Sequence, residues 1–104
     1  RLAQGRPEEA RRHFERALAL APDSADALFD AARSNLAVGR VDEALALAER
    51  LRDLHPGDPR SHVVVATERA GARDLVGALE QLERALAIDP TYGHAHAELG
   101  KVHL

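Results

Sequence analysis

The chain of 104 residues contains no cysteine and only three aromatic residues, Phe14, Phe29 and Tyr92. Without cysteine there is no disulfide, no thiolate nucleophile and no thiolate metal site, and this absence fits a reducing compartment such as the cytoplasm without establishing one. No apolar run is long enough to cross a bilayer, so we expect no membrane insertion. With so few aromatic rings, the core must consist of alanine and leucine, which favours helices that approach each other closely.

The chain also lacks a large excess of either positive or negative charge. Charged residues make up 30% of the sequence and the net charge is −3, with both signs interspersed. No broad basic surface is available to attract nucleic acid or anionic lipid, and we expect neither as a partner. The basic residues are arginines except for Lys101, and alanine is abundant, a composition that favours a GC-rich bacterial genome as the source.

Groupings that would carry catalysis are missing as well. The sequence contains no glycine-rich phosphate loop and no serine or cysteine nucleophile with an evident base. His94 and Glu98 are four residues apart and would share a helix face, but two ligands do not make a metal site. His62 and His96 are 34 residues apart and occupy equivalent positions in the repeat described below, so they are not a cluster of ligands. We therefore expect no enzyme activity, no metal and no cofactor.

What the sequence does contain is a period of 34 residues, marked by Pro22, Pro56 and Pro90. The same spacing relates Ala10, Ala44 and Ala78, the Glu-Arg pairs that begin at Glu15, Glu49 and Glu83, and the column of Leu20, Leu54 and Ile88. A constant period of this length is typical of stacked repeats, in which each unit contacts only its neighbours and the stack offers an extended concave surface. The period directs the functional question toward binding.

One unit, residues 23–56, predicts two antiparallel helices. Asp23 or Ser24 can cap the first helix, and apolar residues then recur at helical spacing. Gly39 supplies the positive φ that commonly ends a helix, and the next helix begins near Asp42. Pro56 prevents that second helix from continuing.

The third unit repeats this plan with a different inner turn. Asp58 is predicted to cap its first helix, with Pro59 in the first helical position. Arg73 stands where the other units have glycine. We expect the first helix to end near Gly71 and Asp74 to cap the second.

These residues resemble the tetratricopeptide repeat (TPR) family. That family has a helix–turn–helix unit of the same length, with a small residue opening the second helix and a proline closing the unit, and its leucine-glycine pair matches Leu99-Gly100. The resemblance implies an all-α fold, an α-solenoid of antiparallel helix–turn–helix units with right-handed superhelical stacking. Six positions depart from the family pattern: Leu28, His62 and His96 stand at a frequent tryptophan site, and Asn35, Arg69 and His103 at a frequent tyrosine site.

The repeats predict one domain over residues 1–104. It consists of a partial first repeat (1–22), a second repeat (23–56), a third repeat (57–90) and the first helix of a fourth (91–104). Arg1 to Gln4 resemble the tail of a first helix whose beginning is missing, and Gly5 stands at the inner-turn position of Gly39. The last helix, with Leu99, Val102 and Leu104, does not form a polar cap. We expect an excerpt of a longer array, and the alternative is a fragment that covers its open ends with another copy.

In TPR stacks the first helix of each unit lines the concave groove. The register places these residues there: Asp26, Phe29, Asp30, Arg33, Arg60, Val63, Val64, Thr67, His94, Ala97, Glu98 and Lys101. Phe29, Val63 and Val64 either anchor a peptide or partner helix, or pack within the solenoid, and both interpretations are open. Asp30 and Arg60 are predicted to pair between units.

The resemblance implies a protein-protein interaction scaffold that binds a peptide or partner helix in the groove. Some TPR proteins clamp the acidic tails of chaperones with lysine, asparagine and arginine. Val64 stands in place of that asparagine and Glu98 in place of a basic residue, so we do not expect such a ligand. Two alternatives are a non-catalytic arm or spacer of a larger bacterial protein such as a transferase, and a module that self-associates through uncapped terminal helices.

Overall fold

The computed structural model describes residues 2–102, with the backbone alone for residues 2–5. In this part of the chain the secondary structure is entirely helical. The six helices are α1 (Leu2–Leu20), α2 (Ala25–Ala37), α3 (Val41–Leu54), α4 (Arg60–Gly71), α5 (Leu75–Ile88) and α6 (Gly93–Lys101). The predicted all-α fold is confirmed. Arg1, His103 and Leu104, which carry parts of the predictions on the chain ends, lie outside the described residues.

Three of the helices begin at predicted capping residues. The Ser24 hydroxyl accepts a hydrogen bond from the backbone N–H of Ala27 at 3.2 Å, and the Asp74 carboxylate accepts one from Gly77 at 2.9 Å. Asp58 accepts the backbone N–H of Arg60 at 3.0 Å. The regular hydrogen bonding of α4 begins at Arg60, and Pro59 before it already has helical dihedrals, with φ −73° and ψ −12°, as the predicted first helical position requires.

The two inner turns share a left-handed residue. Gly39, between α2 and α3, has φ +84°, and Arg73, between α4 and α5, has φ +68°. Arginine therefore adopts the backbone conformation that glycine supplies in the preceding unit. Because a side chain makes this conformation costly, the packing of α4 on α5 must hold the turn in place.

The predicted break at Gly5 is wrong. Helix α1 runs from Leu2 to Leu20 without interruption and includes Pro7. Pro7 removes one N–H donor from the backbone hydrogen bonds of this helix without interrupting it.

The order of packing shows how the stack curves. Each helix contacts the next along the chain, and α2 contacts α4 while α4 contacts α6. Among the described residues, no Cα of α1 approaches one of α3 within 8 Å, and none of α3 approaches one of α5. The even-numbered helices therefore converge on what we call the inner face. The odd-numbered helices spread apart on the outer face.

The core consists of small and medium-sized side chains in two clusters. One contains Leu28, Phe29, Ala32, Ala48, Leu51 and Val64, and the other contains Val63, Ala66, Leu82, Ala85 and Ala95. Adjacent Val63 and Val64 on α4 contribute to one cluster each, so α4 links the two. Ala48 and Leu51 are buried at the positions where the next repeat buries Leu82 and Ala85, an exchange that conserves volume. Within residues 2–102, no helix combines the length and apolarity needed to span a bilayer.

Candidate interaction groove

The inner face contains a cavity of about 360 Å³ between α2, α4 and α6, which we call the inner groove. It is lined by Phe29, Arg33, Leu36 and Ala37 from α2, by Val63, Val64 and Thr67 from α4, and by His94 and Glu98 from α6. Spacings of three, four and seven residues put these side chains on one face of each helix. Seven of the residues predicted for the groove therefore line one cavity.

The three apolar residues predicted there are mainly core residues. Phe29 is 7% exposed, and Val63 and Val64 are each 1% exposed. Packing within the solenoid thus accounts for most of their surface, and only their edges reach the cavity. More accessible apolar wall comes from Leu36 and Ala37, which sequence reasoning missed. Their spacing of seven and eight residues from Phe29 was the signal that places them on the same helix face.

Arg60 connects two repeats beneath the groove. Its guanidinium carbon lies 5.0 Å from the centroid of the Phe29 ring, and its Nη1 lies 2.9 Å from Asp26 Oδ1. The predicted pair with Asp30 is wrong. Asp26 and Arg60 are one repeat apart and lie in the first turns of α2 and α4, so their side chains are at the same height along the two helices. Asp30 lies one turn further along α2.

The carboxylate of Asp58 completes this arrangement. It accepts hydrogen bonds from Arg60 Nη2 at 2.7 Å and from Arg60 Nε at 3.0 Å. These bonds hold the pKa of Asp58 below its usual value, and the same carboxylate raises the pKa of the Arg60 guanidinium. Both groups therefore stay ionised, and Arg60 is committed to the protein rather than to a ligand.

The α6 wall has its own charge cluster. Lys101 Nζ lies 3.1 Å from Glu98 Oε2, and His94 Nε2 lies 3.5 Å from the same oxygen. Lys101 therefore reaches Glu98 and does not line the cavity. Residues 2–102 include no group of three or more potential metal ligands, and His94 with Glu98 stays a pair.

The remaining predicted residues differ in what they offer a ligand. Five of them do not line the cavity: Asp26, Asp30, Arg60, Ala97 and Lys101. Arg33 does line it, and its guanidinium carbon lies 5.3 Å from the Phe29 centroid. Among the described residues, no carboxylate lies within ion-pair distance of Arg33, in contrast to Arg60 and Lys101. Arg33 is therefore the cation that the groove can present to a partner.

Comparison with known proteins relates this geometry to a family. A family profile described as tetratricopeptide repeat matches residues 1–66. The Hsp70-Hsp90 organizing protein of Triticum aestivum is 32% identical over 90 residues, which is 86% of this chain and 16% of the wheat protein. The chain thus spans about a sixth of the length of that curated relative.

Solved structures share the fold. The first TPR of Spaghetti (RPAP3), bound to the HSP90 peptide SRMEEVD, superposes with a TM-score of 0.74 at 19% identity, over 97% of this chain and 80% of the other. MamA superposes with a TM-score of 0.69 at 19% identity, over 96% of this chain and 58% of the other. At this identity the similarity is one of fold. The repeat period, the stacked helix pairs and the profile match together show that the chain belongs to the tetratricopeptide repeat family.

Proposed function

We propose that this chain is a protein-interaction scaffold whose inner groove binds a peptide or partner helix through an apolar side chain. The observation that carries the proposal is the cavity of about 360 Å³ lined by Leu36, Ala37 and the edges of Phe29, Val63 and Val64. A concave, mostly apolar cavity with a few polar groups at its edge is the usual form of a recognition site. The residues bind rather than catalyse.

The chemistry of the wall indicates how a ligand would be oriented. An apolar side chain that enters the cavity removes surface of Leu36 and Ala37 from water. Arg33 on the α2 side is available to an acidic or carbonyl group of the ligand. Glu98 on the α6 side would repel an acidic group there, although Lys101 and His94 lie close to it. The groove therefore favours one orientation of an asymmetrically charged segment.

An acidic chaperone tail is a poor match for this wall. The Spaghetti structure contains such a tail, the peptide SRMEEVD. In this chain Val64 offers no amide where that class of site has asparagine, and Glu98 is an acid where it has a base. We expect the SRMEEVD peptide to show no saturable binding in calorimetry, and saturable binding lost in Arg33→Glu would contradict this assignment.

The test of the groove blocks it without disturbing the core. Ala37 and Thr67 line the cavity and are exposed, so Ala37→Trp and Thr67→Trp should fill it with an indole ring. Ala87→Trp is the matched control, because Ala87 is exposed on α5 and outside the cavity. Peptides would be selected from a combinatorial library against the native chain and then titrated against all three variants by calorimetry.

We expect selected peptides to lose binding to Ala37→Trp and Thr67→Trp and to retain it with Ala87→Trp. Equal binding to all three variants would contradict the proposal that the inner groove is the binding site. The spacer-arm or self-association alternatives would then be preferred, and light scattering over a concentration series would separate those two.

Charge insertion at Phe29 or Val63 is less suitable for this purpose. Both side chains belong to the core, so Phe29→Glu or Val63→Glu would bury a carboxylate and destabilise the fold. Lost binding in such a variant would report unfolding rather than loss of the groove.

A further inference from the structure

A second cavity, of about 290 Å³, lies on the outer face. In the described part of the chain no Cα of α3 lies within 8 Å of one of α5, and residues of α4 form the floor of the gap between them. We call this gap the outer groove. The side chains that matter for its chemistry are Arg52 from α3, Ser61, His62 and Arg69 from α4, and Gln81 and Arg84 from α5. It lies on the side of α4 opposite the inner groove and shares no residue with it.

The charge of the outer groove is opposite to that of the chain. Three arginines and one carboxylate, Glu49, line it, in a chain of net charge −3. Positive charge is thus concentrated where three different helices converge, although the exposed Glu80 lies four residues before Arg84, on the same face of α5.

The three arginines of the outer groove make mostly long ion pairs within the protein or none. Arg52 Nη2 lies 3.9 Å from Glu49 and 3.3 Å from Asp53, and Arg69 lies 3.7 Å from Glu68 and 3.9 Å from Asp74. Three of these four distances exceed hydrogen-bond length. Within the described residues, no carboxylate comes within 4 Å of the Arg84 guanidinium.

The neutral groups of the cavity add donors. His62 Nδ1 pairs with Gln81 Oε1 at 2.9 Å, which uses the amide acceptor and leaves the Gln81 amide N–H groups available. Ser61 is 3% exposed, and its hydroxyl has no hydrogen-bond partner among the described residues. A buried polar group without a partner is uncommon in a folded protein. Because this hydroxyl is shielded from solvent, the donors open to a ligand are the guanidinium and amide groups.

We propose that the outer groove binds a phosphate monoester, presented as a phosphoserine or phosphothreonine of a partner protein. Guanidinium and amide donors surround a cavity with one carboxylate, so the complementary ligand is a compact dianion with several acceptor oxygens. Guanidinium groups bind phosphate oxygens in pairs, and clusters of arginine are a recurring means of recognising phosphorylated segments. A nucleic acid backbone would require a longer run of basic side chains than this groove provides.

The test is a titration of the isotope-labelled chain followed by NMR. The probes are a phosphoserine peptide flanked by glycine and alanine, the same peptide with unmodified serine, and inorganic phosphate. We expect saturable shifts at the side-chain amide of Gln81 and the ring of His62 with the phosphopeptide, and none with the serine peptide. Inorganic phosphate should bind more weakly than the phosphopeptide. Equal affinity for the two would overturn the assignment to a phosphorylated protein segment.

A double variant and a matched control variant provide a second test of the proposal. Arg69→Gln with Arg84→Gln should weaken phosphopeptide binding by at least about tenfold, because two charged donors are lost. Arg16→Gln is the control, since Arg16 is exposed on α1 and remote from the outer groove in the repeat stack. Equal weakening by Arg16→Gln, or no saturable shift in the native chain, would show general charge attraction and overturn the proposal.

Discussion

The Arg60 guanidinium lies over the Phe29 ring, 5.0 Å from its centroid. Phe29 belongs to α2 and Arg60 begins α4, so this contact joins two successive repeats. The ring is also part of the core and of the inner groove, and a second guanidinium, that of Arg33, lies 5.3 Å from it. The floor of the groove and the spacing of two repeats therefore depend on the same side chain.

Replacing Arg60 should destabilise the fold. Arg60→Ala removes two ion pairs, with Asp26 and Asp58, and the contact with Phe29. We expect the free energy of unfolding to fall by roughly 1–3 kcal/mol in urea denaturation. Arg60→Met is the control because it keeps the apolar stem, and it should recover part of the loss. Unchanged stability in Arg60→Ala would contradict the linking role.

The Asp58–Arg60 pair should make stability depend on acid pH. Hydrogen bonds from Arg60 lower the pKa of Asp58 in the folded protein. The contribution of this carboxylate is therefore complete above its unfolded pKa of about 4, and it is lost as the pH falls through the lower folded pKa. Asp58→Asn should be less stable than the native chain at neutral pH, and the difference should shrink toward pH 2. Parallel pH profiles in denaturation experiments would contradict the assignment.

The two left-handed turn residues give a matched pair of predictions. Arg73→Gly should raise the free energy of unfolding by roughly 0.5–1 kcal/mol, because glycine adopts positive φ without steric cost. Gly39→Ala should lower it by about 1 kcal/mol. An alanine Cβ at Gly39 would meet no atom within 4 Å, so that cost comes from the backbone alone. Thermal denaturation of both variants checks the pair, and destabilisation by Arg73→Gly would show that its side chain has another role.

Two residues one turn apart on α4 test the orientation of that helix. Val63 is buried and Thr67 is exposed, although both line the inner groove. Val63→Glu should abolish cooperative unfolding near room temperature because it buries a carboxylate without a partner. Thr67→Glu should change the free energy of unfolding by about 0.5 kcal/mol or less. Circular dichroism melts of the two variants decide the matter, and similar melting curves would mean that α4 is rotated differently.

Asn35 tests a polar link between the first two repeats. Its side chain is fully buried, and Nδ2 donates to Glu15 Oε2 on α1 at 2.7 Å and to the Ala31 carbonyl at 2.8 Å. Its Oδ1 has no partner among the described residues. Glu15→Ala should therefore cost roughly 1–2 kcal/mol in urea denaturation. Asn35→Leu should largely remove the effect of Glu15→Ala in a double-mutant cycle, and additive effects would contradict the coupling.

Much of the fold could be predicted because its signals are local. Ser24 and Asp74 cap helices through their own neighbours in the chain, and Gly39 turns through its own φ. The repeat period then fixes how often this local pattern returns. The predicted break at Gly5 is wrong because a glycine permits a turn without requiring it.

The site was less predictable because it depends on how neighbouring helices are aligned. The repeat register places Arg33, Thr67 and Glu98 on the same side of their helices, and all three line one cavity. To predict the carboxylate that pairs with Arg60, one must know how far α4 is shifted along its axis relative to α2, and only tertiary packing sets that shift. The degree of burial of Val63 and Val64 depends on the rotation of α4. The bond between Asn35 and Glu15 has no signal in the period, since Asn35 stands where the other repeats have arginine and histidine.

The most direct test of the inner groove is methyl NMR of the chain with a peptide selected from the combinatorial library. Leu36 and Val64 line the groove, whereas Val76 is 63% exposed on α5 and lies outside it. We predict saturable shifts of the Leu36 and Val64 methyl groups and an unchanged Val76. Shifts at Val76 with unchanged Leu36 and Val64 would place the ligand on the outer face and contradict the account.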